Sequence, residues 1–482
     1  VAPECVSFIL LSYTKRTAST TVYAVQASSL EDTIAAISTP PGESGIGIVR
    51  LSGDRAVAIV AQAFVSSRGR DIRSASQRVF HGHIKDAQGA TIDEVLVHVM
   101  RAPHSYTRED VVEINCHGGA GPLNAVLELV LTCGARLAGP GEFTQRAFLN
   151  GRLDLVQAEA VIDRIQARTR ASLRAAAAAA DGVLSRAIQE MHDVLVDAMA
   201  HIEAAVDFPD EDLPDLVDDA LRTQLEDVRM RMCELLDTAE VGRLYREGAS
   251  VAIVGRPNVG KSSLFNALLR DARAIVTAHP GTTRDRIEEV ITIAGVPVRL
   301  IDTAGLRTAH DEVEKIGVEV ARDALQRADV ILFLLDLSEP IAQEDGRLAE
   351  ELTGLDQRVW LVLNKVDITP NAQGPDWTFS GTSRISAKTG EGLDGLEAAL
   401  AGLLLGDASV ALDQGMITRA HQRDSLRRAE AALGQLLENY DASPEFLSID
   451  LREALDALGE ITGETTPEDI LERIFSSFCI GK

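Results

Sequence analysis

The chain has 482 residues, of which 45% are hydrophobic and 25% charged, and its formal net charge at pH 7 is −26. That length exceeds what one hydrophobic core organises, so two to four domains are expected. The surplus of acids argues against a nucleic-acid binder whose whole surface attracts phosphate, but leaves room for a local basic patch or a partner subunit that supplies the grip. No apolar run approaches the roughly 20 residues of a membrane span. The five cysteines, Cys5, Cys116, Cys133, Cys233 and Cys479, form no C-x-x-C pair, which fits a reducing, cytoplasmic setting.

Residues 1–31 are poor in acids and begin with Val, and their Lys15-Arg16 pair follows the apolar FILL, the reverse of a secretory signal. They are read as an uncertain extension. From Asp32 the texture is α/β: TIAAISTPPGESGIGIVRLSG reads as strand, Pro/Gly loop and strand. DEVLVHVM and DVVEINC alternate as half-buried strands, and PLNAVLELVLTCG is an apolar helix stopped by Gly134. Residues 32–150 form this first domain. Residues 151–247 are Ala-rich and apolar at helical spacing, broken by the acidic DFPDEDLPDL. Residues 248–405 alternate strands (SVAIVG, VPVRLID, DVILFLLD, RVWLVLNK, SRISA) with helices, and 406–482 are helical again. The fold class is therefore multidomain, α/β and all-α, with a helical domain interrupted by an inserted α/β domain, an insertion that is easy where a domain's termini lie close together.

The inserted stretch carries a nucleotide signature. G-x-x-x-x-G-K-S runs from Gly255 to Ser262 between a strand and a helix, the context a phosphate loop requires. Asn258, Val259, Gly260, Lys261, Ser262 and Ser263 are the candidate phosphate contacts; Lys261 neutralises the β and γ oxygens and the Ser262 hydroxyl joins a Mg²⁺ shell. DTAG (Asp302, Thr303, Ala304, Gly305) ends a strand, with Asp302 near Mg²⁺ and the Gly305 N–H near the γ-phosphate. NKVD supplies Asn364, Lys365 and Asp367, whose carboxylate can accept N1–H and N2–H₂ of guanine, and SAK (Ser386, Ala387, Lys388) can close over the base. Together these specify GTP. The loop VTAHPGTT (Thr277, Ala278, His279, Pro280, Gly281, Thr282, Thr283) is the candidate γ-phosphate sensor, with Thr283 as the second Mg²⁺ hydroxyl. Leu306 stands where many GTPases place a water-orienting Gln, and the loop shows no arginine finger. Asn258 is either a turn former or a ligand for a monovalent cation that bridges the phosphates; position alone does not choose. Asp311, Glu312 and Glu314 are the candidate water-activating acids.

DTIAAISTPPGESGIGIVRLSG, SYTREDVVEINCHGG, GEFTQRAFLNGRLDLVQAEAVID, GRPNVGKSSLFNALL, PGTTRD, DTAGLR, DEVEKIG and IFSSFCIGK together resemble the tRNA-modification GTPase family MnmE (TrmE), over almost the whole chain from Asp32. The resemblance implies an N-terminal tetrahydrofolate-binding and dimerisation domain, a helical domain and an inserted Ras-like G domain. It implies that the homodimer works with an FAD-dependent partner, MnmG, in a heterotetramer or larger assembly. Together they would add a carboxymethylaminomethyl-type group to C5 of uridine 34 in certain tRNAs, using 5,10-methylene- or 5-formyl-tetrahydrofolate. By motif it makes Asn258, Thr277, His279 and Thr282 K⁺ ligands and Glu314 the water-orienting catalytic glutamate. It assigns Arg50, Glu113, Arg152 and Lys482 to folate. A carboxylate suits the N–H/NH₂ edge of a pterin, and cations suit the glutamate tail of folate. Arg152 stands where Lys is common, Arg108 where Gly is usual, and His279-Pro280 where many members have Ile-Ala.

The terminal Cys-Ile-Gly-Lys is no prenylation box: the residue before the last is Gly481, the last is Lys482, and PEDILER upstream is acidic. Cys479 is either a thiolate nucleophile toward uridine C6 or a packed, positioning thiol. His81, His83 and His117 make no recognisable ligand set. A regulatory or ribosome-assembly GTPase of the Era/Der type is the competing reading; a single G domain and the lack of a KH signature after it oppose that reading.

Overall fold

The computed structural model describes residues 32–207, 218–272, 288–302, 325–406 and 412–481. The chain divides into two compact units, one ending at Ala158 and resuming at Thr466, the other running from Glu159 to Thr465.

The first unit is built on seven strands: β1 (Ile34–Ile37), β2 (Ser44–Ser52), β3 (Phe64–Ser66), β4 (Arg78–Lys85), β5 (Thr91–Met100), β6 (Val111–Gly118) and β7 (Arg136–Leu137). They lie in the order β3-β4-β5-β6-β2-β1-β7, antiparallel except for the β1–β7 pair. Alternation decides which face is covered: Asp93, Val95, Val97 and Val99 of β5 are buried while Glu94 and Leu96 among them are exposed. The covered face packs on α1 (Ala56–Ala63) and α2 (Ala120–Thr132) through Ile59, Val60, Val126 and Val130. Gly134 follows the end of α2 with φ +106°, a conformation a glycine reaches without steric penalty. After α3 (Glu142–Leu149) this unit is completed by the chain's closing helix, Glu468–Ser476, whose Phe475 is buried beside Phe148. The end of the chain then lies along the start of α3: Ile480 forms a β-bridge with Pro140, and the Gly141 N–H donates to the Cys479 carbonyl at 3.3 Å.

In the second unit, helices α4 (Leu155–Gln166, begun in the first unit), α5 (Arg170–Ala180), α6 (Val183–Asp207), α7 (Asp219–Asp237) and α8 (Ala239–Glu247) precede the sheet. Thr169 caps α5 by accepting from the Ser172 N–H at 3.0 Å, and Asp218 caps α7 by accepting from Leu221 at 2.8 Å. Then follow β8 (Ala249–Val254), α9 (Lys261–Ala272), β9 (Glu288–Ile293), β10 (Val296–Asp302), β11 (Val330–Asp336), α10 (Gln343–Thr353), β12 (Arg358–Asn364), β13 (Gly381–Arg384) and α11 (Leu393–Leu405). The sheet order is β13-β12-β11-β8-β10-β9, parallel except for the β9–β10 hairpin. Every residue of β8 and β11 is buried, as expected of central parallel strands covered on both faces. The hairpin turns at Ala294 and Gly295, both at positive φ, which matches the strand twist.

Helices α12 (Ala420–Glu438) and α13 (Pro444–Thr462) pack with α6 and α7, so the helical framework draws on residues before and after the sheet. Where the sheet region begins and ends, Arg246 donates to the Thr418 carbonyl at 3.0 Å and Arg419 to Asp163 at 2.8 Å. The buried Glu159 accepts from Gln422 at 2.8 Å, so this junction is pinned to α4 by ionic and hydrogen-bonded contacts.

Candidate nucleotide and folate sites

Strand β8 delivers the chain into the loop of Gly255 to Gly260, and α9 starts at Lys261. The loop has φ +151° at Gly255, +65° at Asn258 and +104° at Gly260. Asparagine tolerates the left-handed region better than most residues, so its backbone suits this turn position whichever role its side chain takes. Its side chain is exposed, as are Ser262 and Ser263 in the first turn of α9, where unpaired N–H groups and the helix dipole favour an anion. Lys261 is buried and donates through Nζ to the carbonyls of Gly255 at 2.8 Å and Arg256 at 2.7 Å. Its ammonium is thus held inside the loop that would surround a phosphate.

The base-side loops close on the same point. Asn364, at the end of β12 and 2% exposed, donates through Nδ2 to the Val259 carbonyl at 2.8 Å and accepts at Oδ1 from the Ala387 N–H at 3.0 Å. Ser386 donates to Asp367 Oδ1 at 2.7 Å, and Asp367 remains exposed, as does Lys388. Lys365, at φ +67°, forms an ion pair with Asp336 at the end of β11. Burial pushes the Asp336 carboxyl up, but hydrogen bonds from Lys365 and Ser338 outweigh it and hold the group below the usual carboxylate range. Asp336 escaped sequence reasoning; its signal was an acid at the end of a fully apolar strand. The strand read in SRISA lies earlier, Gly381–Arg384, because the Ser386 N–H turns back to bond the Glu391 carbonyl at 2.9 Å. Thr277, Ala278, His279, Pro280, Gly281, Thr282, Thr283, Thr303, Ala304, Gly305 and Glu314 lie outside the described residues, as does the side chain of Asp302.

A second cluster forms in the first unit. Arg50 of β2 faces Glu113 of β6 in register, donating through Nε at 2.9 Å, and both side chains are largely buried. Arg50 also donates to the Gly481 carbonyl at 3.2 Å. Gly481 sits at φ +91°, and a Cβ there would lie 2.4 Å from the Ile37 carbonyl, so only glycine lets the tail approach β1 this closely. Lys482 lies outside the described residues. Arg152 donates to the Tyr106 carbonyl at 3.1 Å and lies 4.8 Å from the Tyr106 ring centroid, with Arg50 at 5.8 Å from the same ring. Tyr106, which no motif singled out, therefore packs with both Arg50 and Arg152. Arg108 has φ +61°, in the left-handed region that favours glycine, and its guanidinium donates to the Asn150 carbonyl at 2.8 Å. Cys479 is exposed. Among the described residues no group of three or more His, Cys, Asp or Glu side chains is placed to hold a metal, and no helix is long and apolar enough to cross a membrane.

The GTP-binding protein TrmE N-terminus family matches residues 33–152, and the MnmE helical domain family matches residues 155–479. The chain belongs to the MnmE family of tRNA modification GTPases. It is 47% identical over 94% of its length to the tRNA modification GTPase MnmE of Heliobacterium modesticaldum, covering 99% of that protein. It is 46% identical to the MnmE of Geobacillus kaustophilus over the same share of its length, again covering 99% of the relative. Among solved structures, the G domain of the T. maritima FeoB iron transporter is 30% identical over 32% of this chain and 98% of that one, with a TM-score of 0.25.

Proposed function

We propose that this MnmE-family GTPase hydrolyses GTP in a K⁺-dependent cycle that drives modification of wobble uridine. With an FAD-dependent MnmG partner it would add a carboxymethylaminomethyl-type group to C5 of uridine 34, drawing one carbon from a tetrahydrofolate. The observation that carries the nucleotide half is the two-sided bond of Asn364, which ties the phosphate loop to Ala387 and so sets phosphate and base contacts at a fixed separation.

The residues suit the nucleotide. Asp367 is exposed and ionisable beside Ser386, where its carboxylate accepts the paired donors of guanine. Lys261, whose ammonium the Gly255 and Arg256 carbonyls hold in place, would face the phosphate oxygens. Ser262 with Thr283 would hold Mg²⁺, and the Asn258 carboxamide with Thr277, His279 and Thr282 would hold K⁺. These ions supply positive charge where negative charge builds on the phosphates. Glu314 orients the attacking water. In the first unit, the Glu113 carboxylate would accept from a pterin N–H/NH₂ edge, and Arg50, Arg152 and Lys482 are cations suited to an acidic tail. The protein would act as a homodimer.

Mass spectrometry of total tRNA nucleosides tests the reading. A strain lacking this chain should lose its C5-aminomethyl uridines, and wild-type chain but not a Lys482-deleted one should restore them. Unchanged nucleosides in that strain, with no second family member present, would leave an Era/Der-like switch instead. Hydrolysis in K⁺ against Na⁺ tests the ion separately.

A further inference from the structure

The side chain of Arg256, one residue into the phosphate loop, points away from the place where phosphate binds. Its Nε donates to Asp345 Oδ1 at 2.8 Å, and its guanidinium stands 3.9 Å from Glu339. Asp345 belongs to the first turn of α10 and is 1% exposed. Its second carboxylate oxygen accepts from the Ala342 N–H at 3.0 Å, and its own N–H returns to the Ala342 carbonyl at 3.1 Å. The carboxylate is therefore fixed by its own helix end, where the helix dipole also favours a negative charge. It cannot follow Arg256 if the loop moves.

The Arg256 peptide carbonyl accepts from Lys261 Nζ at 2.7 Å. A single residue thus holds Lys261 with its main chain and α10 with its side chain. The loop needs such an anchor because Gly255, Asn258 and Gly260 all sit at positive φ, with two glycines that cost much conformational entropy to order.

We infer that the Arg256–Asp345 pair is a positioning device for Lys261: it holds the phosphate loop in its nucleotide-ready conformation before GTP arrives, so that ordering is not charged against binding. Arg256 is a positioning residue; it acts through Lys261. Its effect belongs to nucleotide affinity, and hydrolysis of bound GTP proceeds with the same groups.

The test uses full-length protein, a fluorescent GDP analogue and steady-state GTP hydrolysis, with R256A, D345A and the double variant. Each single variant should bind the analogue about tenfold more weakly, and KM for GTP should rise by the same factor while kcat changes little; a tenfold loss corresponds to about 1.4 kcal/mol. The double variant should be no weaker than the weaker single one, because both remove the same contact. Asp345→Asn keeps side-chain volume and covers the case in which the alanine variants do not fold; it should raise KM to a value between wild type and that tenfold loss. Unchanged affinity in R256A or D345N, or losses that add in the double variant, overturns the pair's role. The inference rests on reading 255–262 as a phosphate loop. Wild-type protein that binds no guanine nucleotide would end that reading, whereas wild-type binding with unaltered variants ends only this inference.

Discussion

Asn364 Nδ2 lies 2.8 Å from the Val259 carbonyl, a hydrogen bond across 105 residues that joins the end of β12 to the middle of the phosphate loop. A Cβ added at Gly260 would stand 2.2 Å from the same Nδ2 atom. The two loops therefore share one packed contact and respond together to change.

Asn364→Ala removes one buried and one half-buried hydrogen bond and leaves the Val259 carbonyl and the Ala387 N–H to find new partners. Nucleotide affinity should fall about ten- to a hundredfold. Gly260→Ala, at φ +104°, adds a collision to backbone strain and should abolish binding. Titration with a fluorescent GDP analogue measures both; affinity within a factor of two of wild type would contradict the shared contact.

Asp367→Asn keeps the Ser386 bond, since an amide oxygen also accepts, but it replaces a carboxylate by a group with a donor. The affinity for GTP should fall by at least about a hundredfold. Xanthosine triphosphate, with an oxygen where guanine has its amine, should bind the variant better than GTP does. Competition between the two nucleotides decides the point.

Arg108 is held at φ +61° and bonded to the Asn150 carbonyl. Replacement by Ala keeps the strain and loses the bond, so stability should drop by about 1 kcal/mol. Replacement by Gly loses the bond but also relieves a left-handed conformation worth about 1–2 kcal/mol, and should come close to neutral. Thermal melting of the two variants should rank Gly above Ala.

Arg50→Ala strips Glu113 of its ion-pair partner and Gly481 of its side-chain donor. Affinity for 5-formyl-tetrahydrofolate should fall about tenfold or more, because one of the proposed folate cations is removed and the tail loses an anchor. Fluorescence titration with the reduced folate checks this; undiminished binding would remove Arg50 from the folate site.

The Cys116 thiol is pushed up to about 12, chiefly by burial and secondarily by Asp93. Its thiolate fraction at pH 8 is on the order of one in ten thousand, so native protein should leave it unalkylated by iodoacetamide. Cys479 is exposed and should label, while burial and Glu430 raise the pKa of the exposed Cys233 and should slow it. Peptide mapping after timed labelling gives the order, and early modification of Cys116 would refute its burial.

Local sequence was enough where a motif carries its own geometry. The phosphate loop needs glycines at positive φ between a strand and a helix, and the chain writes that order directly from Ala249 to Ala272. NKVD and SAK were likewise legible as types of contact. What they could not reveal is that Asn364 joins them, since its two partners lie 105 and 23 residues away. Arg50 and Glu113 show the same limit. Each alone reads as a charged residue on a half-buried strand; the β2–β6 register, set by which side chains reach the core, makes them a pair, 63 residues apart. Tyr106 and Asp345 were invisible because an aromatic in a loop and an acid near a helix start have ordinary local explanations. Only the folded chain, by bringing two guanidinium groups beside one ring and burying one carboxylate against the phosphate loop, gave those residues a role.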